Sequence, residues 1–320
     1  MTPVAARLGI GLAAVGRPAY ITTGRADDLG GVRSVEDMRT ATAAVLDAAY
    51  AGGVRYVDTA RSYGRAEEFL ASWLADHPER TDLTLASKWG YRYVGDWRVD
   101  ADVHEVKEHS VAAFREQRAA TRGLLGDRLA VYQAHSVTSE SPVLVDPDLQ
   151  REMAGLRADG VRVGISTSGP EQGEVVRRAL DLTVDGEPLV QVVQATWNLL
   201  EQSAGPALAE AAERGVRVVV KEGMANGRLA PGVDDPSPGA RRVRATAGEL
   251  GVGPDALALA TALAQPWSAV VLSGAATADQ VRANLAAAQM RPPEALLDEL
   301  GSVTEPPHAY WQARSRRSWT

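Results

Sequence analysis

The chain has 320 residues, a formal charge of −7 and no cysteine. The missing cysteine excludes disulfides, thiolate catalysis and cysteine-based metal sites, and the acidic balance argues against nucleic acid as a partner. The longest apolar run, Ala256 to Ala264, is too short to span a bilayer. Met1 to Arg7 does not read as a secretion leader. A cytoplasmic protein with no membrane partner and no metal is expected.

Leu8 to Leu12 reads as a short strand, followed by a loop from Val15 to Gly31. Gly9, Gly11 and Gly16 lack the spacing of a dinucleotide phosphate loop. Val35 to Ala51 is an amphipathic helix with Ser34 as its cap and Gly52-Gly53 as its stop. The β-branched run Val54 to Asp58 then ends in an acid, and a helical pattern starts at Arg65 and runs to Asp76. The alternation repeats down the chain. Strands are predicted at Leu83–Lys88, Leu129–His135, Val161–Ser166, Leu189–Gln194, Val216–Lys221 and Ala269–Ser273. Helices are predicted over 101–122, 148–159, 171–182, 205–214, 241–250, 255–264 and 278–288.

Strand ends fall roughly 30 to 50 residues apart, the length of a β-helix unit with loop insertions. Eight such units predict a single-domain α/β fold, a (β/α)8 TIM barrel with its active site at the C-terminal ends of the strands. Long loops near 89–100, 136–147 and 223–239 should rise on that face, and the tail 305–320 is either a flexible end or a flap over the pocket.

Each strand delivers a polar residue at its C-terminal end: Asp58 with Tyr63 just beyond, Lys88, His135, Ser166 with Thr167, Gln194, and Lys221 with Glu222. Singly, each has an ordinary explanation. Asp58 suits a helix cap, His135 a buried hydrogen-bonded histidine, and Lys88 a structural ion pair. In a barrel, however, these positions converge. The chain has only three lysines, and two of them, Lys88 and Lys221, follow apolar strands; the third, Lys107, lies in a charged stretch read as solvated helix. A lysine beside Tyr63 would lower the tyrosine pKa from its usual value of about 10 and suit it to proton transfer near neutral pH.

These residues resemble the aldo-keto reductase superfamily. The likeness is carried by Gly53-Val-Arg-Tyr-Val-Asp58-Thr-Ala-Arg-Ser-Tyr63-Gly64, by Leu85-Ala-Ser-Lys88-Trp-Gly90 and by Val131-Tyr-Gln-Ala-His135. Gly160 to Ser166, Val192 to Leu200 and Gly274 to Asn284 also match, so nearly the whole chain is covered in order. The resemblance implies a tetrad in which Tyr63 exchanges a proton, Lys88 tunes it, Asp58 holds Lys88 and His135 orients the substrate. It implies an NAD(P)-dependent oxidoreductase that moves a hydride between nicotinamide and a small or sugar-like carbonyl or alcohol. Ser166 and Gln194 match carboxamide-binding positions, Gln280 and Asn284 positions near the adenine, and Gly274 and Ala275 the adenosine phosphate segment.

The chain departs from that pattern at several places. Lys221 stands where an aromatic residue usually stacks on the nicotinamide, and either pairs with Glu222 or reaches a cofactor phosphate. Thr167 replaces an asparagine. The segment Gly274 to Gln280 carries no base and one acid. NADP is expected from family habit, with NAD as the alternative and Arg282 as a candidate source of charge. Ala13 falls where relatives place a pocket aromatic: either the cavity is roomier there, or Tyr20, Trp89, Trp97 or Trp311 fills it, or these aromatics simply pack loops; Tyr91, Tyr93 and Trp97 would suit a sugar face. Two other functions fit the same residues: a Schiff-base lyase using Lys88 or Lys221, and a cofactor-binding regulatory subunit. The oligomeric state is not legible, and a monomer is plausible.

Overall fold

The computed structural model describes residues 7–21, 33–317 and 319. The leader reading over Met1 to Ala6 and most of the loop reading over Val15 to Gly31 lie outside these residues. Among the described residues there are twelve strands: β1 (Leu8–Gly11), β2 (Tyr56–Asp58), β3 (Thr84–Trp89), β4 (Tyr91–Tyr93), β5 (Glu105–Lys107), β6 (Leu129–Val137), β7 (Arg162–Thr167), β8 (Thr183–Val184), β9 (Glu187–Pro188), β10 (Val192–Thr196), β11 (Arg217–Lys221) and β12 (Val270–Ser273). Eight of them close a barrel in the order β1-β12-β11-β10-β7-β6-β3-β2, with every neighbouring pair parallel. Eleven α-helices accompany them among the described residues.

The period of two along each strand builds both the interior and the site. Tyr56, Ala86, Val131, Val192, Val219 and Val270 form one buried cluster inside the barrel. Two residues further along the same faces come Asp58, Lys88, Gln133, Gln194 and Lys221. The apolar layer is thus a floor, and the next layer up is the polar one. Gly9 lets the floor close, because a Cβ there would approach Leu272 within 2.8 Å and Val270 within 2.9 Å. The opposite faces of the strands, including Leu85, Tyr132, Val163, Val193 and Val220, pack outward against the helices.

Local signals explain most helix starts. Ser34 accepts a hydrogen bond from Asp37 N at 3.2 Å, and Thr277 one from Gln280 N at 3.2 Å, each satisfying an orphan amide of the first turn. One prediction is corrected. The helix expected over 101–122 begins only at Val111, capped by Ser110. Before it, β4 and β5 form an antiparallel hairpin with Tyr91 opposite Lys107. A helix at Val103 to Lys107 is disfavoured by its β-branched residues, and its strand partner lies over ten residues back, beyond the reach of a local pattern.

The tail is not a loose end. Pro307–Ser315 is a helix whose Tyr310 and Trp311 are buried with Leu199, Leu200 and Leu300. Asn198 donates to the Tyr310 hydroxyl at 3.0 Å. The 223–239 loop is tied to the same region, since Arg228 bridges Asp235 and Glu305. No helix among the described residues is long and apolar enough to cross a membrane.

Candidate active site

Asp58, Lys88 and His135 reach the barrel mouth on β2, β3 and β6, and Tyr63 follows β2 on a short loop. The Lys88 side chain is fully buried. Its ammonium donates to Asp58 Oδ1, to the Thr59 carbonyl at 3.0 Å and to the Tyr63 hydroxyl at 3.3 Å. The other oxygen of Asp58 accepts from Gln194 Nε2 at 2.8 Å and from Gln133 Nε2 at 3.5 Å. Asp58 is therefore an anion held by a cation and two amides, in keeping with the rule that a buried charge must be paired. Tyr63 Oη lies 3.5 Å from His135 Nε2, and the two rings meet edge to face with centroids 5.5 Å apart. Ser62 Oγ stands 3.4 Å from His135 Nδ1. A Ser62 hydroxyl donating there leaves the imidazole proton on Nε2, facing Tyr63 and the cavity.

The Tyr63 hydroxyl is pushed well above the ordinary phenol value, by burial first and by the Asp58 carboxylate second, against the opposing pull of Arg17. Tyr63 is thus a protonated donor across the neutral range. Burial also holds His135 well below the usual histidine pKa, and the cations Lys88, Lys221 and Arg17 push it the same way. The imidazole is neutral, with one proton to give.

These groups open into a cavity of about 870 Å³, within the size range of small-molecule and cofactor sites. Ala13, Tyr20, Gln194 and Lys221 line it, as do Gly274, Ala275, Gln280 and Asn284 at the far end. Other expected residues do not reach it. Trp89 is fully buried and packs against Phe114 and His109; as the last residue of β3 it alternates outward, away from Lys88. Trp97 donates from its indole to the Arg33 carbonyl at 2.8 Å and packs on Phe69. Trp311 is in the tail core. Tyr93 and Thr167 are also absent from the lining, and Thr167 donates to Gln172. Ser166 is buried, and its Oγ accepts from Ser136 N at 2.8 Å.

Several lining residues had no sequence signal. Arg17, paired with Glu105 at 2.8 Å, comes from the loop after β1. Trp319 comes from the tail, stacked on His104 with ring centroids 4.4 Å apart. Gln133 was legible in principle, since it precedes His135 by two on the same face.

The Lys221 wall is an ion cluster. Lys221 donates to Thr196 Oγ1 at 2.8 Å and lies 3.5 Å from Glu222, whose carboxylate Arg314 of the tail grips with two nitrogens. Burial pushes the Lys221 ammonium down to about 8 even beside Glu222. Burial would raise Glu222, but Arg314 and then Lys221 pull it down to about 2. Its stabilising effect is therefore full above the ordinary glutamate range and is lost as pH falls towards 2. In acid unfolding, Glu222→Gln is expected to flatten this loss, narrowing the gap to wild type by roughly 2 kcal/mol between pH 6 and pH 3. Parallel curves for the two proteins would refute the assignment.

A closed parallel barrel with acid, base and cofactor-sized cavity at its C-terminal mouth defines an enzyme-type (β/α)8 barrel. The model of the Aldo/keto reductase family matches residues 21–303. The chain belongs to the aldo/keto reductase family and is an oxidoreductase of that family. Protein tas of Escherichia coli is 26% identical over 310 residues, covering 81% of this chain and 88% of that protein. A shorter stretch of 110 residues is 31% identical to the aldo-keto reductase str7 of Strobilurus tenacellus, spanning 34% of this chain and 30% of that protein. Among solved structures, the holo form of an aldo-keto reductase from Bacillus halodurans superposes with a TM-score of 0.72 at 22% identity, covering 94% of each chain. The glycerol dehydrogenase of Gluconobacter oxydans superposes with a TM-score of 0.70 at 19% identity, covering 93% of this chain and 90% of that one. At these identities the structural likeness carries the fold.

Proposed function

We propose that the chain is an NAD(P)-dependent reductase of small, sugar-like carbonyl compounds, with Tyr63 as the proton donor. The observation that carries this reading is the contact chain Asp58–Lys88–Tyr63–His135, of which Asp58, Tyr63 and His135 line one cavity that also reaches the Gly274 to Asn284 segment. When bound, the nicotinamide supplies the hydride to the carbonyl carbon. Tyr63 donates its proton to the carbonyl oxygen as charge develops there, the role for which its protonated state suits it. His135 Nε2–H donates to the same oxygen and fixes its direction. Lys88 places its ammonium next to the phenol, and Asp58 holds that lysine in position. The same groups run in reverse for an alcohol. Polar lining at Arg17, Glu105, Ser136 and Asn226 supports a hydroxylated substrate. The imine alternative is weakened at Lys88, whose ammonium is fully engaged.

The cofactor is held, on this reading, along Gln194, Lys221 and the 274–284 segment. Ser166 contributes its hydroxyl only by turning it from Ser136. Among the described residues, the lining at the far end carries Asp255 and Asp279 and no cation, and Arg282 is turned to Asp279 on the surface. A phosphate dianion there would lack a charge-assisted partner, so NAD is favoured over the NADP of family habit. Titration of protein fluorescence is expected to give a Kd for NADH at least about tenfold below that for NADPH, a difference of one charge-assisted contact. Tighter NADPH binding would reverse the assignment.

A further inference from the structure

Strand β6 does not run straight past its histidine. Its pairing with β7 shifts between Ala134 and Val137, and Ser136 has a φ of 53°, a left-handed conformation that a side chain disfavours. In a regular strand, neighbours point to opposite faces. Here His135 and Ser136 both line the cavity, which is the effect of a bulge that re-aims a side chain.

Three side chains grip the backbone of this bulge. Ser166 accepts from Ser136 N–H at 2.8 Å. His109 Nε2 lies 2.9 Å from the His135 carbonyl. Because a carbonyl can only accept, Nε2 carries the proton. Lys107 Nζ donates to the Ser136 carbonyl at 2.8 Å. Lys107 ends β5, and His109 lies two residues further on, just before the Ser110 cap of the next helix; both side chains reach the bulge. Opposite Lys107 stands Tyr91, whose ring centroid is 5.2 Å from that of His135. The hairpin therefore meets His135 three times, at its ring and at both carbonyls of the bulge. Space is cleared for this contact: a Cβ on Gly90 would come within 2.3 Å of the His109 ring. Burial holds His109 neutral, with a pKa pushed down to about 4, so it remains a neutral donor at working pH.

We infer that Lys107 and His109 are positioning residues for His135, setting the imidazole by holding the two carbonyls of its bulge. The inference rests on the role proposed above for His135. It also accounts for the third lysine of an arginine-rich chain, read from sequence as solvated surface.

The test compares Lys107→Met and His109→Leu with the donor-keeping variants Lys107→Arg and His109→Gln. The imidazole resonances of His135 are followed by NMR in histidine-labelled protein and assigned by their loss in His135→Asn; carbonyl turnover and NADH affinity are measured on the same samples. Lys107→Met and His109→Leu are expected to shift the His135 resonances and to lower kcat by about ten- to a hundredfold, the scale of a small misplacement. NADH affinity should stay within about twofold of wild type, and the Arg and Gln variants should restore both signals. Unshifted His135 resonances with unchanged kcat, or equal losses in the donor-keeping variants, would overturn the inference. Lys107 lies on an exposed strand, so Lys107→Met decides the matter if His109→Leu does not fold. If wild type reduces no carbonyl, the proposed function fails, while the His135 resonances still decide the positioning role.

Discussion

Tyr63→Phe is expected to lower kcat for carbonyl reduction by roughly 100- to 10,000-fold, the usual range for loss of a positioned general acid. The hydroxyl is the only atom removed. Lys88 keeps Asp58 and the Thr59 carbonyl as partners, so no buried charge is stranded and stability should change little. NADH affinity should also hold, because Tyr63 sits at the substrate end of the cavity. The expected pattern is therefore a fall in kcat and in kcat/KM together, the mark of an interaction made in the transition state. Steady-state kinetics with an aldehyde and hydroxyketone panel, with fluorescence titration of NADH alongside, checks it. Turnover at the wild-type rate would remove Tyr63 from the mechanism and leave His135 as the donor.

Lys88→Met should damage both activity and stability. Removing the ammonium leaves Asp58 as a buried carboxylate with only Gln194 and, at 3.5 Å, Gln133. Breaking a buried ion pair from one side costs roughly 3–5 kcal/mol, mostly as the penalty of the unpaired charge. The double variant Asp58→Asn/Lys88→Met removes both charges and should regain most of the stability while remaining inactive. Denaturant unfolding of the single and double variants separates the two effects. Equal stability of Lys88→Met and wild type would mean that the pair contributes nothing to folding, and recovery of activity in the double variant would mean that its charge is not used in catalysis.

The barrel was legible because its signals are local. Short β-branched runs such as Val54 to Asp58 and Val216 to Lys221 mark strands, and Ser34 and Gly52 bracket a helix through bonds to neighbours a few residues away. The convergence of Asp58, Lys88 and His135 followed from their places at strand ends, since a barrel gathers the C-terminal ends of its parallel strands. The hairpin was not legible. Tyr91 to Tyr93 is too short to read as a strand by itself and is stabilised by pairing with Glu105 to Lys107. Trp89 was assigned to the loop, whereas β3 runs through it and its alternation turns Trp89 away from Lys88; Trp97 lies in a loop, where no period says which way an aromatic faces.

By itself, then, the sequence determined the barrel, its family and the order in which polar residues arrive at the mouth, because those depend on alternation along single strands. Tertiary structure alone decided the electrostatics and the grip on the site. How closely Lys88, Asp58 and Tyr63 meet depends on distances between strands, and burial then keeps the phenol protonated. Lys107, exposed as expected, gained a role as hydrogen-bond donor to the Ser136 carbonyl, and the tail changed from a loose end to a helix tied through Arg314 to Glu222. Each of these contacts joins residues far apart in the chain, and such pairings are set by how the elements pack rather than by the local pattern of either partner.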